Sequence, residues 1–318
     1  MQKPYTVLLY YCYTKIENPE LFREQHHALC LQLNLRGRII VAHEGLNGTV
    51  SGLQADCQAY MDSLHADPRF ASIDFKSEQS ETPAFSKLHV RVKSEIVYSG
   101  LEHIDPNVRT GVHLSPQEFK EMMKQKDVVV LDVRSIYEHS LGHFKNAVTL
   151  DIENFREFPD KISELEKYKD KKILTYCTGG IKCEKASAFL LENGFENVYQ
   201  LHGGIIKYGI EANGEDFEGK CYVFDNRLAT EVNTVNPKVV STCYVCGTVS
   251  DRMVNCANPE CNIHVPICEE CGHELEGACS PTCQTYPQKR PYNGTGYYQK
   301  DSNGYNPYLN ARRLHQCQ

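Results

Sequence analysis

Cys177-Thr178-Gly179-Gly180-Ile181-Lys182 follows a strand-like run, Ile173 to Tyr176, and leads into a helix-prone stretch from Glu184 to Glu192. A thiol at a strand-to-helix turn faces backbone N–H groups and the positive end of a helix, which stabilise it as thiolate. The two glycines free backbone amides to point at the sulfur. A buried, inert cysteine is the bland alternative, and it gives no reason for the paired glycines. The sulfur is therefore expected to be ionised and reachable from solvent.

Strands and helices alternate around this loop. Ser115-Pro116-Gln117-Glu118 is a capping box with proline at the first helical position, opening a helix to about Lys126. Val128 to Val133 is a β-branched strand, Ala147-Val148 starts a second short one, and Asn154 to Lys169 is a charged, helix-prone segment. Val198 to Leu201 supplies a further strand, and Gly203-Gly204 turns into a last helix. Such alternation predicts a parallel sheet covered on both faces, with the loop at the carboxyl end of a strand.

The distance from the cysteine to the next cation separates two chemistries, because a phosphate-sized anion needs a wider cradle than a single sulfur. Cysteine-dependent phosphatases place arginine where this chain has Cys183. Lys182 falls one place earlier, giving a six-residue loop like that of rhodaneses, which suits a persulfide or another small adduct. Together with Asp132-Val133-Arg134, Glu138, Gly142-His143 and Leu201-His202-Gly203-Gly204, the loop resembles a rhodanese domain.

The string from Cys177 to Lys185, with its Cys-Glu-Lys continuation, is similar to one subfamily, the rhodanese-domain tRNA uridine-34 hydroxylases, over nearly the whole chain. That resemblance implies tRNA as partner, at its anticodon region. It also implies molecular oxygen as co-substrate, 5-hydroxyuridine as product and Cys177 as the active-site residue. Lys182 departs from the arginine common there, keeping the charge but losing the planar fork. Asp132, Arg134, Glu138 and His143 read as ion pairs and caps that set loop geometry.

Residues 1–100 read as a separate small domain. Tyr5 to Tyr13 is β-rich, and Asn18-Pro19 caps a helix with Leu21, Phe22, Leu29 and Leu33 at helical spacing. Arg38 to Ala42 is a strand, Glu44 to Gly48 a turn, and Thr49 to Ser51 a short strand. A helix from Gln54 to His65 precedes strands near Ala71 to Lys76 and Lys87 to Val97. The order βαββαβ with one strand to spare predicts a ferredoxin-like (acylphosphatase-like) fold. Lys87, His89, Arg91 and Lys93 alternate along the last strand and share one face, a basic stripe that contacts RNA or is merely solvated. Glu44 and Asn47 either touch substrate or only shape their turn.

After a linker at residues 101–114 and the rhodanese domain at 115–225, the cysteine pattern changes. Cys243-x2-Cys246, Cys256-x4-Cys261, Cys268-x2-Cys271 and Cys279-x3-Cys283 put eight thiols in four pairs within residues 226–284. Four thiolates complete the tetrahedron that zinc prefers, so two structural zinc ions are expected. Sequential and crossed sharing of the pairs are both open, with His264 or His273 as substitute ligands. Cys12, Cys30, Cys57, Cys221 and Cys317 have no partner by spacing.

Residues 285–318 form a Tyr- and Gly-rich basic tail whose tyrosines (286, 292, 297, 298, 305 and 308) either stack on unpaired bases or pack against the zinc module, the latter favoured. The net charge of -7 leaves only local basic patches for tRNA. No run is long and apolar enough to span a membrane, and fifteen cysteines without a signal sequence point to the reducing cytoplasm. No flavin, haem or nucleotide site is recognisable. Two other functions stay open: a sulfurtransferase carrying a persulfide on Cys177, with Cys183 assisting, and a non-catalytic zinc-bearing adaptor for RNA or protein.

Overall fold

The computed structural model describes residues 4–292. The first unit runs β1 (Tyr5–Tyr13), α1 (Pro19–Gln32), β2 (Arg36–Ala42), β3 (Gly45–Leu53), α2 (Gln54–His65), β4 (Lys76–Ser80) and β5 (Leu88–Val92). Its sheet has the order β4-β1-β3-β2-β5, antiparallel except for the β2–β5 pair. This is the ferredoxin-like order with β5 as the extra edge strand. Alternation along β1 sends Leu8 and Tyr10 into a core with Ile39, Val41, Val50 and Val90 under the helices, while Leu9, Tyr11 and Tyr13 take the opposite face.

Several local expectations are corrected here. The hairpin turns at His43-Glu44, and Gly45 to Gly48 already belong to β3, paired with both β1 and β2. Gly48 is required by packing, since a Cβ there would lie 2.3 Å from the Tyr10 hydroxyl oxygen. Residues 71–75 are not a strand. Turns closed by Phe70 N–H to Asp67 O and Ile73 N–H to Phe70 O let Phe70 and Ile73 plug the core, and β4 starts only at Lys76. On α1 the inward face is Pro19, Phe22, His26 and Cys30, while Leu21 is exposed.

The second unit comprises β6 (Val112–Leu114), α3 (Pro116–Met122), β7 (Val128–Asp132), α4 (Ile136–His139), β8 (Gly142–Phe144), β9 (Val148–Thr149), α5 (Ile162–Leu165), β10 (Lys172–Tyr176), α6 (Ile181–Glu192), β11 (Val198–Leu201) and α7 (Gly204–Ala212). Its main sheet is parallel throughout, in the order β6-β11-β10-β7-β9. The Ser115–Glu118 capping box forms as expected, but α3 stops at Met122. The segment from Asn154 to Lys169 is not one helix. It is a chain of short 3-10 and α turns, interrupted at Pro159, which has no N–H for a helical bond. Ile173 faces a core with Leu131, Cys177 and Ala186, and Leu174 faces another with Phe119, Ile205 and Tyr208, so the sheet is buried on both sides.

The last unit adds β12 (Phe217–Gly219) against β8, a β13 (Cys221–Tyr222) and β14 (Ala229–Thr230) pair, a β15 (Met253–Asn255) and β16 (His264–Pro266) hairpin, α8 (Glu269–Glu274) and α9 (Pro281–Gln284). Its small core is largely sulfur, with Cys243, Cys256, Cys261 and Cys271 packed around Val254 and Ile267. Among the described residues, no helix is long and apolar enough to cross a membrane.

Candidate active site

β10 lies at the centre of the parallel sheet, where the chain order reverses: β7 continues outward to β9, whereas β10 continues the other way to β11. Clefts at the carboxyl ends of such strands are where α/β sheets carry their sites. Cys177 is the first residue beyond β10, and α6 begins at Ile181, three residues before the helix-prone stretch suggested.

The loop is shaped around the sulfur. Gly180 N–H donates to Cys177 Sγ at 3.2 Å, and Gly180 has φ +100°, which a side chain would strain. The Cys183 thiol, the Lys182 charge and the backbone at Lys182 and Cys183 also favour the ionised form of this sulfur. The loop carbonyls are drawn off by the first turn of α7. Ile205 N–H binds Cys177 O at 2.9 Å and Ile206 N–H binds Thr178 O at 3.1 Å. A Cβ on Gly204 would sit 2.5 Å from Cys177 O, which explains the glycine in the His202-Gly203-Gly204 motif.

Burial alone would raise the Cys177 thiol. The Cys183 thiol, the Lys182 charge and the backbone donors outweigh it and bring the group down to about 7, while the same contact and burial push Cys183 well up. Where less opposes it, burial takes Cys30 and Cys221 up to about 12 and Cys57 to about 11. The alkylation rate of Cys177 should therefore fall as pH drops through about 7, rather than near the free-thiol value of about 8.5. Iodoacetamide labelling with peptide mass spectrometry from pH 5 to 9 reads the midpoint. A midpoint above about 8.5 would contradict the arrangement of donors.

One expectation about this sulfur is overturned. Cys177 is 1% exposed, so it is ionisable but covered. The first unit lies against the loop glycines: a Cβ on Gly179 would meet Leu9 Cδ2 at 2.8 Å, and one on Gly180 would meet the Tyr11 hydroxyl at 3.0 Å.

The neighbouring charges are paired. Lys182 Nζ lies 2.6 Å from Glu138 Oε2, which also accepts from Ser135 N–H, so its charge is shared between Glu138 and the thiolate. Asp132 and Arg134 form a fully buried pair at 2.7 Å, and Arg134 also donates to Gly142 O. His143 bonds the carbonyl of His139.

Glu184 and Lys185 join the first unit to the loop. The Glu184 carboxylate takes bonds from the Tyr11 hydroxyl and His113 at 2.8 Å and from Thr110 and Gln200 at 3.0 Å. Burial would raise its carboxyl, but these donors, His113 foremost, hold it below the usual range. Lys185, fully buried, meets Glu44 at 2.8 Å and donates to Leu101 O and Ile104 O. Glu44 also accepts from Ile96 N–H, and Asn47 donates to Ile96 O, so Asn47 holds the chain leaving the first unit while Glu44 reaches across to the second.

The basic stripe stands on the same sheet face as this contact. Tyr11 pairs with Asn47, Asn47 with Ile40 and Ile40 with Arg91, so Arg91 lies in the row of Tyr11 three strands away, about 14 Å across the ladder. Lys87, His89, Arg91 and Lys93 are all exposed.

The eight paired cysteines come together in the crossed manner. Cys243, Cys246, Cys268 and Cys271 form one group and Cys256, Cys261, Cys279 and Cys283 the other, with the sulfurs of each within 4.8 Å of one another. Separations of 3.6 Å (Cys246 to Cys268) and 3.7 Å (Cys261 to Cys279, Cys279 to Cys283) match the edge of about 3.8 Å in a tetrahedron with metal–sulfur bonds of about 2.3 Å. The residues fit a metal ion. His264 bonds the Tyr222 hydroxyl and His273 the Tyr292 hydroxyl, so neither belongs to a group. Tyr292 thus rests on this unit, while Tyr297, Tyr298, Tyr305, Tyr308 and Cys317 lie outside the described residues.

A rhodanese-like loop domain, joined to an acylphosphatase-like domain in front and a thiol-rich module behind, defines the class of this chain. Family models described as UPF0176 acylphosphatase like domain, rhodanese-like domain and rhodanase C-terminal match residues 5–96, 115–211 and 218–284. A protein of Cytophaga hutchinsonii named tRNA uridine(34) hydroxylase is 66% identical over 98% of this chain and all of its own length. One of the same name from Enterococcus faecalis is 51% identical over 90% of this chain and 92% of its own. The chain belongs to the tRNA uridine(34) hydroxylase family.

Proposed function

We propose that the protein hydroxylates uridine 34 of tRNA to 5-hydroxyuridine with molecular oxygen, at the loop headed by Cys177. The observation that supports this best is the thiolate nest of Cys177 joined, through Glu184 and Lys185, to a domain that presents a basic stripe on the same face. On this reading Cys177 is the catalytic residue and Thr178 to Cys183 form its cradle. The anticodon region lies along β5, with phosphates on Lys87, His89, Arg91 and Lys93 and the wobble base at the loop.

The two thiol groups would hold zinc. Zinc with four thiolates is a closed site that cross-links a segment too poor in apolar residues to fold alone, so its contribution is structural. A chain with this many uncrosslinked thiols belongs in the reducing cytoplasm.

Purified protein given unmodified tRNA under oxygen-18 gas should yield 5-hydroxyuridine carrying the heavy isotope at position 34. Unlabelled product would remove molecular oxygen as the source, and no product would remove the activity. The six-residue loop also favours a second reading, persulfide transfer. Brisk turnover of thiosulfate to thiocyanate, with no hydroxylated nucleoside, would establish that one instead.

Substituting Arg91 and Lys93 together by alanine should lower the slope of log affinity against log salt by about 1.4, at about 0.7 per lost contact to a single strand. Filter binding of tRNA from 50 to 300 mM salt measures it. An unchanged slope would place the RNA elsewhere.

A further inference from the structure

Beside the Cys177 loop runs a closed circuit of titratable side chains to which the reading above gives no chemical part. The Tyr11 hydroxyl bonds Glu184 at 2.8 Å, Glu184 meets His113 Nε2 at 2.8 Å, and the His113 ring meets the His202 ring edge-on, centroids 5.6 Å apart. His202 Nε2 lies 3.2 Å from Asp74 Oδ2, Lys76 Nζ lies 3.9 Å from the same oxygen, and Lys76 Nζ sits 4.9 Å above the Tyr11 ring, which closes the circuit. We propose that His202, backed by Asp74 of the first unit, is the base that takes the C5 proton of uridine 34. This rests on the hydroxylation reading of the same site.

A nucleophile added at C6, here the Cys177 sulfur, makes C5 tetrahedral, and the ring regains its double bond by giving up the C5 hydrogen as a proton. In that step the C5–H bond breaks and its electron pair becomes the C5=C6 double bond. The C6–S bond breaks with its own pair returning to sulfur as thiolate, and the proton passes to an imidazole nitrogen. No oxidant or reductant is consumed. The step needs a base beside Cys177 that is not the sulfur itself.

The topology favours His202 for that part. Thr175 pairs with Gln200 across β10 and β11, and Cys177 and His202 stand two residues further along these strands. The turn after His202 lies on the loop: Ile205 N–H bonds Cys177 O at 2.9 Å, and a Cβ on Gly180 would meet Gly203 N at 3.4 Å. His202 N–H is fixed to Leu114 O at 2.9 Å, while its side chain is 39% exposed and open to a nucleobase. The carboxylate beside Nε2 selects the tautomer protonated there and leaves Nδ1 as the basic nitrogen, with no hydrogen bond to any described residue. Asp74 stays ionised, because His202 and Lys207, at 3.2 and 2.9 Å, hold its carboxyl well below the usual carboxylate range. His113 is placed less well, on β6, one strand farther from β10. Lys182, the cation of the loop itself, is paired with Glu138 at 2.6 Å.

The test follows the C5 hydrogen, with the full chain and tRNA whose uridines carry tritium at C5. Without oxygen, addition at C6 and proton exchange at C5 should release tritium to water, and Cys177→Ser should release none. His202→Gln should lower the rate at least about 100-fold, the lower end of what a positioned base contributes, with tRNA affinity and the melting curve unchanged. His202→Ala should be equally slow and recover with imidazole in the buffer, a gain that a merely structural role does not produce. Asp74→Asn should fall between His202→Gln and wild type, and an unchanged rate there would remove Asp74 from the proposal. Release by His202→Gln at the wild-type rate would overturn the proposal, as would a loss in His202→Ala that imidazole leaves untouched. So would hydroxylated product from a wild-type chain that releases no tritium without oxygen. Release by the wild type with no hydroxylated nucleoside in air would instead defeat the hydroxylase reading and leave the base in place, and neither release nor product would defeat both.

Discussion

Cys177→Ser is expected to lower hydroxylation of tRNA by about 1,000-fold or more while leaving the fold in place. The effect is large because the nest stabilises an anion. The Gly180 N–H, the Lys182 charge, the Cys183 thiol and the neighbouring backbone all favour negative charge on one sulfur, and a serine hydroxyl placed there stays protonated across the physiological range. Serine can accept the same hydrogen bonds, so the melting temperature should shift by no more than about 5 °C. Single-turnover assays by nucleoside mass spectrometry, paired with thermal melts, separate the two effects. A variant keeping more than a tenth of wild-type activity would show that the thiolate is not needed for chemistry.

Removing metal from the carboxyl-terminal unit should have the second largest consequence. Each group packs four sulfurs within 4.8 Å of one another, and without an ion four thiols there have only weak hydrogen bonds to offer. Binding at structural zinc sites is worth on the order of 10 kcal/mol, far more than the short helices and hairpins of this segment supply alone. Elemental analysis should find about two ions per chain, at four thiolates to each. Chelation should abolish hydrogen-exchange protection from Cys243 to Cys283 while leaving the parallel sheet protected. Cys256→Ser, which opens the fully buried group, should reproduce the loss. A protein with no bound metal, or one whose exchange is unchanged by chelator, would contradict this.

The rhodanese core was legible because its signals are local. A capping box, a β-branched strand and a glycine-bearing loop each state their own conformation, and the structure keeps Ser115, Val128 and Gly180 in those roles. The first sheet was legible in order but not in detail. Gly45 and Gly48 looked like turn residues, yet they serve close packing inside a strand, which only the Cys12 carbonyl beside Gly45 and the Tyr10 ring beside Gly48 reveal. Residues 71–75 carry strand-like apolar types, but their turns send Phe70 and Ile73 into the core, a tertiary effect that propensity does not record.

At the site, the cysteine and its donors follow from the loop, whereas the partners of Glu184 and Lys185 could not be read from spacing. Tyr11 lies 173 positions from Glu184, and Glu44 reaches Lys185 from another domain. A buried-type helix carrying Glu and Lys side by side was the one available signal, since such charges need partners from elsewhere. The contact of β1 with Gly179 and Gly180 was illegible for the same reason: nothing in the loop specifies it. Pair spacing left the metal groups ambiguous, and the strand pairing of β15 with β16 accompanies the crossed arrangement.

The most direct measurement is the nucleoside content of tRNA from cells lacking the gene, complemented with wild type or with Cys177→Ser. 5-Hydroxyuridine and its derivatives should disappear from position 34 on deletion, return with the wild-type chain and stay absent with the serine variant. Unchanged nucleosides on deletion, or full restoration by Cys177→Ser, would contradict the assignment of wobble-uridine hydroxylation to this thiolate loop.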